Sequence, residues 1–439
     1  MKAGLYIPCF NAEKTIQLCL EAVFRQTYPV EEVIVVDDGS TDNSIKIASA
    51  YPVKIIKHKF NQGLAAARNT AIKNIDAELV ASLDADCQPS PEWLAILIDK
   101  IDAPKVIGAG GKLLETQSCV YDLWRTKHMK QFWVSRENNP PFLFGSNTLF
   151  KKEALLNIGL YDESLKNNYE DVEICRRLKE KGYKFIYEAK AIAQHLKSDN
   201  INSLLNTYWK WNFSYYRKEG FYASKEKFLF KIKDNIGLAN RYLESDINQK
   251  NMQLLYIDFL LAMHHCLKDL EYYLVQDDSG SSCDVSIASL WLSLLDLIFF
   301  YHWDSRKKAL STMLPIKKSY SQNFFAMSLL LGSTLEDKFR NDKFKQALFK
   351  DLLFSVYKIN DDLLVEKLSI LRQRSWGDLF RKNQPNIDSH FLESISLHFN
   401  NWMGSLISRF PQIIGWIEES AYETNKTFNL RMEAINEKD

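Results

Sequence analysis

"EEVIVVDDGSTDNSIKIASAYPVKIIKHKFNQGLAAARNTAIKNIDAELVASLDAD", residues 31–86, decides how the first half of this chain folds. EEVIVVDD is a β-branched run bounded by polar residues, TDNSIKIASAY reads as helix, VKIIKHK as strand, GLAAARNTAIKNI as helix and AELVASLDAD as strand. Upstream, AGLYIPCF is a short strand, and AEKTIQLCLEAVFRQ places Ile16, Leu20, Val23 and Phe24 at helical spacing. Repeated strand–helix–strand units predict an α/β fold: a Rossmann-like, doubly wound, mostly parallel sheet with helices on both faces. Ligands of such sheets bind beyond the carboxyl ends of the strands, where the topology reverses. DDGS and DAD fall at two such ends.

Asp84 and Asp86 raise a physical question, because two carboxylates one residue apart repel and each needs water, hydrogen bonds or a cation to stay charged. Period-two alternation of an extended chain puts both on one side. Oxygen ligands at a strand end suit a hard, partly hydrated ion such as Mg²⁺ or Mn²⁺, completed by phosphate oxygens. An ordinary surface turn also produces D-x-D, so the motif gains meaning only from its neighbours.

Of the 439 residues, 46% are apolar and 25% charged, which describes a globular protein of two or three domains. The net charge of +1 gives no basic excess of the kind that nucleic acid requires. Seven cysteines (Cys9, Cys19, Cys87, Cys119, Cys175, Cys266, Cys283) stand singly, without a CxxC pair, and read as small buried residues of a reducing compartment. KAGLYIPCFN is not a secretory leader, and the longest apolar stretch, Ile287–Tyr301, is interrupted by Asp296 and too short to span a bilayer. The expectation is a cytoplasmic protein.

Beyond Ile201 strand runs vanish and amphipathic segments take over, among them NMQLLYIDFLLAMHHCLKDLEYYL and residues 342–373, with the loop VQDDSGSSCDVS between helical blocks. The division expected is an α/β domain over 1–234 and an all-α domain over 235–439. Residues 207–233 mix aromatics with Lys210, Arg217, Lys218, Lys225, Lys227, Lys231 and Lys233. That mixture fits a helix lying on anionic lipid, and equally one packed by its aromatics with lysines in water. His264 and His265 are neighbours that diverge on a helix, a poor metal pair.

Other stretches add chemistry to the acidic pair. IPCFNAEKTI and VVDDGSTDNS bring Pro8, Asn11, Asp37 and Asp38 to two strand ends, the Gly-Ser-Thr-Asp tail turning the chain and capping a helix. In NQGLAAARNTAI, Gly63 allows close backbone approach and Arg68 offers a fork of donors for phosphate or carboxylate, or a helix-surface ion pair. NYEDVEICRRL starts a helix with Glu170 and Asp171, where the macrodipole favours an ionised carboxylate such as a general base needs; both acids also suit plain capping.

In order and spacing, P-x-F-N, DDGSTD, NxGxxxARN, DAD, GSNTLFKKEALLNIGLYDE, YEDVEICRRL and the later His195 resemble the inverting family 2 glycosyltransferases of the GT-A fold, over Met1 to about Gly220. The resemblance implies that Asp38 accepts a hydrogen bond from the nucleotide base in a pocket lined by Pro8, Phe10 and Asn11, with Gly63 and Arg68 on the donor side. It implies that Asp84 meets the ribose, and that Asp86 with His195 holds the metal at the diphosphate, the imidazole tilting the preference from Mg²⁺ toward Mn²⁺. Taken alone, a single histidine such as His195 is more often a satisfied core or surface residue. Asp171 matches the acid that activates the acceptor, Glu170 an orienting neighbour, and Gly145, Ser146 and Asn147 a close-approach loop beneath donor sugar and acceptor.

Thr70-Ala71 stands where the family often has a further glycine, and DADC replaces the commoner acidic ending. The QxxRW signature of processive synthases is absent, so the resemblance implies transfer of a single sugar. The function expected is metal-dependent, inverting transfer from a nucleotide-diphosphate sugar, UDP-linked, to a glycan, lipid-linked or protein acceptor in bacterial surface polysaccharide, lipopolysaccharide or glycoprotein assembly. Peripheral contact with the inner membrane face and oligomerisation fit the helical half. A catalytically inactive nucleotide-binding relic acting as a scaffold is the alternative, and a nucleotidyltransferase is disfavoured because GLYIPCFNAEK is no Gly-rich phosphate loop.

Overall fold

The computed structural model describes residues 1–101, 105–134, 139–165, 168–274 and scattered positions between 398 and 420. The loop 275–286 with Cys283, the apolar stretch 287–301 and segment 342–373 lie outside the described residues. Strands β1 (Ala3–Cys9), β2 (Glu32–Asp37), β3 (Lys54–Lys57), β4 (Leu79–Leu83), β5 (Cys87–Pro89), β6 (Val106–Glu115), β7 (Asn147–Lys151) and β8 (Lys184–His195) form one sheet in the order β3-β2-β1-β4-β7-β6-β8-β5. β1 to β4 pair in parallel, β7 runs antiparallel to β4 and β6, β8 is parallel to β6, and β5 antiparallel to β8. Six strands therefore share one direction, as expected of a mostly parallel sheet, and β5 and β7 oppose it. The chain is α/β in this half and all-α in the described residues from Ile201.

Alternation along the strands explains the two layers of helices. Leu5, Ile7, Val33 and Val35 face one side, where α1 (Ile16–Val23) and α4 (Trp93–Lys100) cover them with Ile16, Cys19, Leu20, Trp93 and Leu97. Tyr6, Ile34, Val36 and Val80 face the other, under α3 (Leu64–Asn74), α6 (Lys152–Asn157) and α7 (Glu170–Glu180). A sheet apolar on both faces must be wound on both faces. At one edge β3 is half-solvated and carries Lys54 and Lys57, charges that discourage pairing with another chain. Further along lie α2 (Ser44–Ala48) and α5 (Val120–His128).

Because the six strands are parallel, β1, β2, β4, β6 and β8 all end along one edge, and the antiparallel β7 begins there. β6 and β8 come close at Gly111, where the register shifts; a Cβ on Gly111 would stand 2.0 Å from the carbonyl oxygen of Ala191. Asn147, at the start of β7, fastens the same region: its fully buried side chain accepts from Trp93 Nε1 at 2.6 Å and donates to the carbonyl of Lys112 at 3.1 Å.

The chain divides into two compact units, Met1–Asp199 with Lys210–Tyr215, and Asn200–Trp209 with Tyr216–Asp439. In the second, described residues form parts of α8 (Ile201–Lys218), with α9 (Lys225–Asn248) and α10 (Leu255–Leu274). Their aromatics pack inward: Tyr208, Tyr222 and Phe228 are buried. Buried Asp269 accepts from Trp209 Nε1 at 2.8 Å, Tyr222 Oη at 2.6 Å and Asn235 Nδ2 at 2.6 Å, and Lys231 Nζ lies 3.6 Å from the same carboxylate. Lys231 is thus a core cation, not one of a row of lysines in water. His264 and His265 are both buried, and burial drives the His265 pKa well below the ordinary histidine value. Among the described residues no helix is long and apolar enough to cross a membrane.

Substitution Gly111→Ala forces β6 away from β8, and the expected cost is about 1–3 kcal/mol. Chemical denaturation followed by near-ultraviolet circular dichroism checks it; unchanged stability would mean that the two strands can part freely there.

Candidate active site

The acidic pair is placed by a turn rather than by an extended strand. β4 ends at Leu83, and the amide of Cys87 donates to the carbonyl of Asp84 at 2.9 Å, closing a four-residue turn around Asp84-Ala85-Asp86. The expected strand alternation is therefore not the reason the two acids lie together. Each has its own cationic partner: Asp84 Oδ1 accepts from Arg68 Nη2 at 3.2 Å, and Asp86 Oδ2 lies 3.3 Å from His195 Nε2. Their side chains remain 31% and 32% exposed, so both keep an open side.

Arg68 is 1% exposed, which rules out a helix-surface ion pair and leaves its donor fork to two carboxylates. Its Nη1 lies 3.1 Å from Glu170 Oε1 while Nη2 holds Asp84. Gly145 roofs this guanidinium; a Cβ there would sit 1.8 Å from Nη1. The Gly145 amide donates to Asp171 Oδ2 at 3.1 Å, and Asp171 Oδ1 accepts from the amide of Val172 at 2.8 Å. Tyr169 precedes α7 in the left-handed region (φ 81°), its ring 5.3 Å from that of Tyr215. One buried arginine thus joins the carboxyl turn after β4 to the acid pair at the start of α7.

The helix terminus does not decide the ionisation of that pair. Burial raises the pKa of Glu170, against the pull of Arg68, and burial likewise raises Asp171 against Arg68 and the amides of Gly145 and Val172. Glu170 is buried and salt-bridged, whereas Asp171 is half-buried and keeps a path to solvent.

At the other acid, burial alone would raise Asp86, but the charge of His195 and its hydrogen bond reverse this and hold Asp86 at about 2. Burial would depress His195; Asp86 and Glu115 instead lift it to about 10, an imidazolium between two carboxylates. The Asp86 carboxylate and, once it gives up its Nε2 proton, the His195 imidazole 3.3 Å away are donors of the kinds a small divalent cation takes. The other ring nitrogen, Nδ1, lies 2.8 Å from Glu115 Oε2, the arrangement that metal-bound histidines use to fix their tautomer.

Toward β1 and β2 the loops zip together. Asn11, at φ 50°, accepts from the Thr41 amide at 2.8 Å, and its own amide donates to Ser40 Oγ at 3.1 Å. Asp38 is 4% exposed and accepts from the amides of Gln62 and Gly63, each at 2.9 Å, with His58 Nδ1 2.7 Å from Oδ1. Asp38 is therefore first of all the anchor of the loop that leads into α3, and Gly63 enters that helix at φ 99°. Pro8 is buried in β1, while Phe10 is half exposed beyond it. Ser146 bonds Gln131 at 3.3 Å, and Asn147, being buried in the sheet, presents no side chain to a ligand.

Residues 5–159 match the family model of glycosyl transferase family 2. Glycosyltransferase AglE of Haloferax volcanii is 31% identical over 205 residues, 44% of this chain and 66% of its own. Residues 5–159 are a glycosyltransferase family 2 domain. Poly-beta-1,6-N-acetyl-D-glucosamine synthase of Staphylococcus epidermidis is 26% identical over 217 residues, 47% of this chain and 52% of its own. The match thus spans between half and two thirds of these relatives. Among solved structures, GalNAc-T7 with UDP, GalNAc and Mn²⁺ is similar over 47% of each chain, at 18% identity and a TM-score of 0.38. In this family 2 domain the residues that sequence reading missed are His58, Glu115 and Arg125; none sits in a motif, strand register brings in the first two, and the packing of α5 against β6 brings in Arg125.

Removing the Arg68 charge leaves Glu170 and Asp84 without their shared cation. Arg68→Met is expected to cost about 3–5 kcal/mol, and Arg68→Met with Glu170→Gln less than the sum of the single changes. Denaturant titration of the four proteins in this cycle checks the coupling.

Proposed function

We propose that the chain is an inverting glycosyltransferase that moves one sugar from a nucleotide-diphosphate sugar, UDP-linked, to a hydroxyl of a glycan, lipid-linked or protein acceptor in surface polysaccharide, lipopolysaccharide or glycoprotein assembly. The observation that carries this is the placing of two kinds of acid on one edge of the sheet: Asp84 and Asp86 in the turn, and half-buried Asp171 across Arg68 from them. Such a pairing separates leaving-group work from proton abstraction.

In this reading Asp171 accepts the proton of the acceptor hydroxyl. Each of its oxygens takes one backbone N–H, leaving lone pairs for that proton. The acceptor oxygen then bonds to the anomeric carbon as the bond from that carbon to the diphosphate oxygen breaks on the opposite face, which inverts the configuration. Glu170 fixes Arg68, and Gly145 and Ser146 shape the floor. Asp86 and His195 are the residues that would hold Mn²⁺ or Mg²⁺, with Asp84 on the ribose side. A divalent cation supplies charge neutralisation of the departing diphosphate. Phe10, Pro8, Asn11 and Asp38 would receive the base; Asp38 Oδ2 accepts one amide and has capacity for another donor. The helical remainder would serve acceptor recognition, oligomerisation or docking at the inner membrane face.

Calorimetric titration with UDP, GDP and CDP, each with Mn²⁺ and again with chelator, is expected to give metal-dependent binding of UDP. Binding of none would favour the scaffold alternative. Once the donor is known, Asp171→Asn is expected to lower kcat by roughly 10²–10⁴-fold with nucleotide affinity retained; full activity in that variant would remove Asp171 from the role of base.

A further inference from the structure

We propose that Glu115 and Arg125 are positioning residues that aim His195 Nε2 at the cation site. The inference rests on the reading of Asp86 and His195 as cation ligands. Strand register brings the group together: β6 and β8 pair Glu115 with His195, and β5 and β8 pair Cys87, next to Asp86, with the same histidine. Its backbone is pinned on both sides. The Thr116 amide and hydroxyl donate to the His195 carbonyl at 3.1 and 2.8 Å, and the Leu196 amide donates to the carbonyl of Asp86 at 2.7 Å.

With the backbone fixed, the ring can still turn about its two side-chain torsions, and the hydrogen bond to Glu115 holds it in one orientation. When Nδ1–H donates to Glu115 Oε2 at 2.8 Å, Nε2 faces Asp86 at 3.3 Å; a flipped ring would lose both contacts. The same Oε2 accepts from Arg125 Nε at 2.7 Å, so the carboxylate cannot swing. Arg125 is in turn clamped by Asp122 (3.4 Å), by Asp199 and by the carbonyl of Lys197 at 2.6 Å. Both Glu115 and Arg125 are at least nine-tenths buried. A buried ion cluster of this kind contributes little net stability compared with well-packed apolar side chains. What it provides instead is direction: a polar line from Arg125 through Glu115 to His195 that ends at the open side of Asp86.

The test is Mn²⁺ affinity, read by electron paramagnetic resonance with UDP present, in the full-length chain. Asp86→Ala and His195→Ala should each abolish tight Mn²⁺ binding; if they do not, the cation-ligand reading itself fails and takes the proposal with it. Given that loss, Glu115→Gln is expected to weaken Mn²⁺ by roughly 10–100-fold and to reduce the preference for Mn²⁺ over Mg²⁺, while UDP affinity without metal is unchanged. Mn²⁺ affinity equal to that of the native chain in a folded Glu115→Gln would overturn the proposal. A measurement on the native protein stands even where the variant does not fold. Nitrogen-15 spectra of His195 with Mg²⁺ and UDP should show the proton on Nδ1, and a proton on Nε2 would sink the idea.

Discussion

The structure of the site turns on one buried guanidinium. Arg68 lies buried between Asp84 and Glu170, and without it buried Glu170 and half-buried Asp84 would lose their shared counter-charge. Its position follows from α3, whose alanines (Ala65, Ala67, Ala71) let the helix press against the sheet. Gly145 completes the arrangement, since any side chain there would strike the guanidinium. A loop glycine, an alanine-rich helix and two acids distant in sequence thus satisfy one steric and electrostatic condition.

Much of the architecture was legible because it is local. Strands β1 to β4 and helices α1 to α3 announce themselves through β-branched runs, helical spacing and glycine-bearing turns, and each is found there, although β4 gives way to a turn after Leu83. The antiparallel β7 was not visible, because direction within a sheet is a property of pairing and not of the segment itself. The same limit explains the site. Asp84, Asp86, Glu170 and Asp171 stand out by type and spacing. Glu115 ends an ordinary strand and Arg125 sits in an ordinary amphipathic helix; β6–β8 register joins Glu115 to His195, and the side-chain contact across from α5 adds Arg125.

Where local chemistry misled, tertiary burial was the competing force. Arg68 has the composition of a solvent cation and is among the most buried side chains in the domain. Asn147 follows a Gly-Ser pair that suggests a ligand loop, yet its amide is consumed by Trp93 and the strand backbone. A helix N-terminus stabilises a carboxylate by a fraction of what desolvation costs, so the pKa values of Glu170 and Asp171 rise despite their place in the first turn of α7. In the stretch 207–233 the aromatics Tyr208, Tyr222 and Phe228 pack as one of its two readings expected, and the departure is Lys231, which is drawn from water into the core beside Asp269.

The turn at Asp84-Ala85-Asp86 is the joint of two charge chains of opposite reach. One runs from Asp84 through Arg68 to Glu170 and, by way of Gly145, to Asp171; the other runs from Asp86 through His195 and Glu115 to Arg125. A single hydrogen bond, Cys87 amide to Asp84 carbonyl, holds the two acids in one rigid unit. The turn fixes the backbone of both acids and the buried Arg68 and His195 each hold one carboxylate, so the separation of the proposed cation site from the proposed base rests on the turn and these two partners. Proximity of this kind must be kept to a fraction of an ångström for displacement chemistry. That requirement gives a physical reason for the otherwise costly burial of so many charged groups at one edge of the sheet.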